Sequence, residues 1–167
     1  MTEVAGHGCP VGGERSLTAG EIALVQSVFG GAIDCQRVRI RRRRWFPFQP
    51  RSVTMAPLGH LHFHPQAQGY CDDFAAASLQ LQGHFIHEMT HVWQTQTRGR
   101  WFLLWRRHPF CRYDYALKPG WPLERYGIEQ QAEIVRHAFL LRRGAQDCGV
   151  SDVRVYDALL RFAGAAA

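Results

Sequence analysis

His87-Glu88-Met89-Thr90-His91 decides how this chain of 167 residues is read. On an α-helix, positions i and i+4 stand one turn apart on the same face, so two imidazoles at this spacing can reach one metal ion. Glu88, beside the first histidine, is placed to act as general base on a water at that metal. One helical turn thus supplies two metal ligands and a base. The competing interpretation, a helix with two histidines at a polar boundary, gives Glu88 no role.

The flanks favour a helix. Ser78-Leu79-Gln80-Leu81-Gln82-Gly83-His84-Phe85-Ile86 precedes the motif, Val92-Trp93-Gln94-Thr95-Gln96-Thr97 follows it, and no proline interrupts residues 66–108. Leu81, Phe85, Met89 and Val92 recur at helical spacing, which predicts a stripe facing the core. Gly99 predicts the stop.

A catalytic zinc takes three protein ligands and keeps one position open. Residues 124–143 hold a second helical pattern, with Ile128, Ala132, Val135 and Phe139 as its apolar stripe. Glu129 and Glu133 are i, i+4 neighbours there. Two acids so placed repel by about 0.2–0.5 kcal/mol on an isolated helix, a cost that a cation converts into a gain. Glu129 is the expected third ligand. Glu133 is expected to accept a hydrogen bond from a ligand histidine. The plain alternative is a solvated acidic face, and Glu133, His84 and Cys9 stand next in line as ligands.

His87-Glu88-Met89-Thr90-His91 followed by Glu129-Gln130-Gln131-Ala132-Glu133 resembles the gluzincins. In that group an H-E-x-x-H helix is completed by a glutamate on a later helix, with an acid one turn beyond it. Glu133 is one methylene longer than the aspartate common at that place. Over roughly residues 16–140 the chain is similar, more specifically, to small bacterial zincin-like proteins labelled Vgr-related. These are encoded beside, or fused to, spike and Rhs-type toxin components of contractile injection systems. The matching stretches are Leu17-Thr18-Ala19-Gly20-Glu21, Val28-Phe29-Gly30, Phe85 through Gln94, Tyr113-Asp114-Tyr115 and Glu129 through Val135. The resemblance implies a zincin-like domain with one zinc ion per chain and a peptide or protein substrate, a peptidoglycan peptide included. It implies a spike or toxin protein as partner. It also makes Leu58–His64 a candidate for the edge strand that borders the cleft.

The expected chemistry follows. Zinc brings the pKa of its water towards ~7 and polarises the scissile carbonyl. Glu88 takes the water proton and returns it to the leaving amine. The oxyanion needs a further donor, for which Tyr113 and Tyr115 are favoured over Tyr126 and His137. His84 is expected to pack or hydrogen bond. His60, His62 and His64 alternate on one strand face and are expected as rim or surface groups rather than a second metal site. Two histidines and a carboxylate also suit iron or manganese.

Length and order point to one α+β domain with a small mixed or antiparallel sheet, and the resemblance implies that it is a single zincin-like unit. Residues 1–15 read as a flexible glycine-rich lead and 16–167 as the metallopeptidase domain. Within it, a helix over Leu17–Phe29 is capped by Ser16 or Thr18 and stopped by Gly30-Gly31. Strands are predicted at Arg37–Ile40, Ser52–Met55 and Leu58–His64, an aromatic loop over 99–121, and a last helix from Ser151 to about Phe162. No amino-terminal targeting segment is expected, because Glu3 falls early and no apolar run follows it, and no stretch approaches the roughly 20 apolar residues of a membrane span. Synthesis in the cytoplasm is expected, and any export through a signal-independent system. Cys9, Cys35, Cys71, Cys111 and Cys148 are scattered, which argues against a disulfide framework. Cys9, in a glycine-rich lead, could reach and block a metal site.

The net charge is +6 and the pI about 9.4. Arg37, Arg39 and Arg41–Arg44 form one basic cluster, and Arg98, Arg100, Arg106, Arg107 and Arg112 another, both interleaved with aromatics such as Trp45, Phe48, Trp101 and Trp105. Such clusters can bind nucleic acid, dock an acidic partner, contact anionic cell-wall polymer or lipid, or simply keep a protein soluble. Three function classes compete: a zinc metallopeptidase that serves as effector or processing enzyme, a non-catalytic adaptor or chaperone for a spike or toxin, and, last for want of a recognisable module, a nucleic-acid-binding protein.

Overall fold

The computed structural model describes residues 8–106, 111–146 and 152–162. Arg107, Cys148 and Ser151, singled out above, lie outside the described residues.

The first helix, α1 (Ala19–Phe29), starts where a capping box closes. Thr18 Oγ1 accepts from the Glu21 backbone N–H at 3.0 Å, and the Glu21 carboxylate accepts from the Thr18 N–H at 2.9 Å. Glu21 is fully buried, a state that costs heavily unless the charge is paired. Arg15 pairs it through two 2.8 Å bonds, and the Phe74 N–H adds a third donor. One carboxylate thereby ties α1 to the strand before it and to the 3-10 turn Phe74–Ala76. Gly30, at φ +56, ends the helix as expected.

Three short strands, β1 (Glu14–Arg15), β2 (Ile40–Arg41) and β3 (Leu61–His62), form a mixed sheet in that order. β1 pairs β2 antiparallel with Glu14 opposite Arg41, and β2 pairs β3 parallel with Ile40 opposite Leu61. The sheet is smaller than the predicted strands. Cys35–Arg37 is a 3-10 turn instead, because the Asp34 side chain caps it at the Gln36 N–H. Ser52–Met55 contributes one antiparallel bridge, Met55 to His62, and Leu58–His64 pairs only at its centre. Residues 8–15 differ from the expected flexible lead. Gly12 donates to Arg42 O at 2.9 Å, Arg42 donates to Gly13 O at 3.0 Å, and Cys9 is buried with its N–H on Asp72.

Four further helices follow: α2 (Leu79–Arg98), α3 (Phe102–Arg106), α4 (Ile128–Arg142) and α5 (Val153–Leu159). Ser78 caps α2 and Gly99, at φ +100, ends it. α3 lies inside the stretch predicted as loop, and α5 is capped by Asp152. α2 packs mainly against α4. Gly83 permits the approach, since a Cβ there would stand 2.9 Å from Leu140 Cδ2. Phe85, Met89 and Val92 of α2 and Ala132, Val135 and Phe139 of α4 lie in the core, as their spacing predicted, whereas Leu81 is only half-buried. The molecule is thus α+β, with its core between α1, the sheet, and the α2/α4 pair. Among the described residues, no helix is long and apolar enough to cross a membrane.

Candidate metal centre

The α2/α4 interface brings His87, His91 and Glu129 together. One ligand atom from each lies within 4.8 Å of the other two, and all three residues are buried. His87 Nε2 is 3.3 Å and His91 Nε2 3.1 Å from Glu129 Oε2. Among the described residues this is the one group of three or more His, Cys, Asp or Glu side chains that converges in this way. Helix periodicity explains it: i and i+4 histidines face one way on α2, and Glu129, in the first turn of α4, meets them.

The histidine orientations fit a cation. Gln94 donates its amide to Ile128 O and to Gln131 Oε1, both at 3.0 Å, so its Oε1 faces His91. Gln131 is held in turn by donating to Tyr126 O at 2.7 Å. His91 Nδ1 therefore donates to Gln94 Oε1 at 2.9 Å. In neutral His91 the lone pair is then left on Nε2, aimed at the Glu129 carboxylate. A lone pair and an anionic oxygen at 3.1 Å repel unless a proton or a metal ion lies between them. The donor set of two imidazole nitrogens and one carboxylate is one that could hold a divalent metal.

Behind His87 stands Glu133. His87 Nδ1 lies 2.7 Å from Glu133 Oε1, a charge contact without hydrogen-bond alignment. Burial works against charge on His87, but Glu129, Glu133 and Glu88 outweigh it and raise its pKa to about 9 in the metal-free protein. Burial likewise pushes Glu133 up, yet His87, Arg136 and His137 hold it near 2. The network continues outward. His137 Nε2 is 3.5 Å from Glu133 Oε2, Tyr115 Oη is 2.6 Å from His137 Nδ1, and Tyr156 Oη of α5 is 2.7 Å from Tyr115 Oη. With Nε2–H of His137 towards Glu133, Tyr115 donates to Nδ1 and accepts from Tyr156.

Glu88 is buried, and its Oε2 has no hydrogen-bond partner among the described residues. A buried, unsatisfied carboxylate oxygen costs energy, so it marks a place where a ligand or proton donor is expected. His84 lies one turn earlier, its Nε2 3.9 Å from Glu88 Oε1 and 2.9 Å from Thr54 Oγ1. Burial lowers its pKa against the pull of Glu88. It hydrogen bonds, as expected, and stands outside the ligand group. Tyr113 stacks over His87, ring centroids 6.3 Å apart and planes 16° apart, and is half exposed.

Other candidates lie elsewhere. Tyr126 Oη accepts from the Lys118 N–H at 2.8 Å. Cys9 is fixed beside Asp72, with Arg42 on its carbonyl, and is not in the ligand group. His62 is buried against Trp45, and burial with the nearby Arg41 holds its pKa near 4. His64 accepts from the Gln66 N–H, and His60 lines a separate cavity. Gln94, Gln131 and Tyr156 were not foreseen. Gln94 alone carried a signal, an amide one turn beyond His91 on the same helix face.

No family model matches the chain. It is 44% identical over 137 residues to the type VI secretion system spike protein VgrG2b of Pseudomonas aeruginosa. That match covers 75% of this chain and spans 13% of the spike protein's length. A solved structure, the effector domain of Pseudomonas aeruginosa VgrG2b, is 39% identical with a TM-score of 0.66. It covers 85% of this chain and 81% of that domain. With identity of this order across most of both domains, the chain belongs to the family of the VgrG2b effector domain of type VI secretion system spike proteins.

Proposed function

We propose that this domain is a zinc metallopeptidase, a gluzincin-type effector of a type VI secretion system that hydrolyses an amide bond. The observation that carries the reading is the convergence of His87, His91 and Glu129 beside the unpartnered Oε2 of Glu88. His87, His91 and Glu129 would hold the ion. Bound zinc supplies a Lewis acid for the scissile carbonyl and a water of lowered pKa. Glu88 takes a proton from the attacking water and hands it to the leaving nitrogen. Glu133 and Gln94 fix the two imidazoles with Nε2 towards the ligand position. Tyr113, half exposed with its ring over His87, is placed to serve as oxyanion donor, and Tyr115 lies one step further out, on His137 and Tyr156.

The family supports delivery with or on a spike, after synthesis in the cytoplasm. The substrate on this reading is a peptide or protein, or the peptide of peptidoglycan. Residues 16–167, together with strand β1 and the segment before it that packs on Arg42 and Asp72, act as one zincin-like hydrolase unit. The burial of all three ligands also favours a second reading, a structural zinc in a non-catalytic adaptor.

One comparison separates the two. Wild type and Glu88→Gln, both loaded with zinc, are incubated with unfolded casein and with peptidoglycan stem peptides, and products are identified by mass spectrometry. Cleavage by wild type alone, at equal zinc content, supports the peptidase. Equal behaviour of the two proteins contradicts it, and retained function of Glu88→Gln in the secretion system favours the adaptor.

A further inference from the structure

The C-terminal end of α2 carries features that the metal centre does not use. A cavity of about 640 Å³ opens there, lined by Arg37, His60 and Arg100 together with backbone at Gly59 and Gly99. Neither Arg37 nor Arg100 makes an ion pair among the described residues. Asp34 is the acid in the lining, and its Oδ1 accepts from the Gln36 N–H. The Gln96 amide is committed to the Asp34 backbone, and Thr95 and Thr97 hydroxyls donate to helix carbonyls. The charged groups left to meet a ligand are therefore the two guanidiniums, with His60 beside them in the lining. Burial and Arg41 hold the His60 pKa below its ordinary value, so the arginines supply the charge.

The next turn of chain is apolar and faces outward. Trp101, Leu104 and Trp105 stand at i, i+3 and i+4, and the Trp105 N–H donates to Trp101 O. They are 59%, 41% and 86% exposed, while Leu103, on the other side of the turn, is buried. Three large apolar groups on one outward face of a single turn form a patch of the kind that marks an interaction site. Arg100 joins the two features: it lines the cavity, and its guanidinium lies 5.8 Å from the Trp101 ring.

We propose that this cavity and the outer face of α3 together form a docking surface for an anionic phospholipid bilayer. Arg37, Arg100 and His60 take a headgroup phosphate, and Trp101, Leu104 and Trp105 enter the interfacial layer. A guanidinium matches phosphate geometry, tryptophan favours the membrane interface, and anionic lipid attracts clustered arginine. A free phosphate would use the cavity and leave the tryptophans unexplained. An acidic protein surface would use the arginines but not the depth of the cavity. The surface lies apart from the metal cluster and stands whether or not the domain is a peptidase.

Flotation with vesicles tests it, using the full chain and either equimolar phosphatidylglycerol and phosphatidylcholine or phosphatidylcholine alone. The variants are Trp101→Ser/Trp105→Ser and Arg37→Gln/Arg100→Gln, each checked for wild-type thermal unfolding. Wild type is expected to bind the anionic vesicles roughly tenfold or more tightly than the neutral ones, more weakly as salt rises, with a blue-shifted tryptophan emission. Each double variant is expected to lose roughly tenfold. Equal binding to both vesicles, or wild-type binding by the folded variants, would overturn the proposal. So would tighter binding to a single-stranded oligonucleotide, capture of inorganic phosphate without vesicle binding, or self-association that the tryptophan changes abolish.

Discussion

His87 is gripped from both sides by α4: its Nδ1 lies 2.7 Å from Glu133 Oε1 and its Nε2 3.3 Å from Glu129 Oε2. The two acids are one turn apart on the same helix, so the imidazole is held across the α2/α4 interface by the acids' own spacing. Carboxylates that back a ligand histidine typically contribute 10–100-fold to metal affinity. Glu133→Gln is therefore expected to weaken zinc binding by roughly tenfold or more. Competition with a chromophoric chelator measures this, and unchanged affinity would remove Glu133 from the account.

The same contacts predict a pH dependence. In the metal-free protein the His87 pKa is about 9, above its ordinary 6.5. A raised histidine pKa contributes stability that is complete below about 6.5 and is lost as pH rises through about 9. Metal binding needs the deprotonated ring. Zinc uptake at pH 7 should then release a proton from His87, and zinc affinity should climb between pH 6.5 and 9. Proton release followed with a pH indicator checks it; pH-independent affinity over that range would contradict the assignment.

Gln94 offers a sharper test of orientation. Its Oε1 accepts from His91 Nδ1, and its amide is spent on Ile128 O and Gln131 Oε1. Gln94→Leu leaves these buried groups unsatisfied, at a cost of about 1–3 kcal/mol in stability. It also frees His91 to take the other tautomer, so zinc affinity should fall. Gln94→Glu keeps the acceptor for His91 but sets a carboxylate against Ile128 O and Gln131 Oε1. It should recover affinity more than stability, as read by chelator competition and thermal unfolding of the same samples.

The closeness of α2 to α4 can be probed at Gly83. A Cβ there meets Leu140 Cδ2 at 2.9 Å, so Leu140 must shift. Gly83→Ala is expected to destabilise by about 1–3 kcal/mol through overpacking, and Leu140→Val in the same chain to recover part of that loss. Denaturant unfolding of the single and double variants decides it; a stabilised Gly83→Ala would show that the helices have room to part.

What the sequence carried was local. The five-residue motif and the Glu129/Glu133 pair sit on strongly periodic helices, so periodicity alone turned His87, His91, Glu129 and Glu133 towards one interface. Thr18, Ser78 and Gly99 marked helix ends because their cap chemistry is written in single residues. The rest depends on contacts between distant segments. Cys9 is buried by Asp72, 63 positions away, and Tyr156 reaches the centre through Tyr115 and His137. The strands shrank because side-chain caps and turns at Asp34 and Gln49 compete with ladder pairing. α3 is too short to show a stripe: Leu103 is buried, Phe102 is half-buried, and Leu104 and Trp105 are exposed, so no helical period can be read from it.

The central claim is a metal centre built from His87, His91 and Glu129, and metal content per chain tests it most directly. Wild type and Glu129→Ala, purified without added metal and analysed by inductively coupled plasma mass spectrometry, should differ sharply. The account predicts about one zinc per wild-type chain, lost or greatly reduced in Glu129→Ala. Wild type that holds no metal and takes none up, or Glu129→Ala that retains its full zinc, would contradict it.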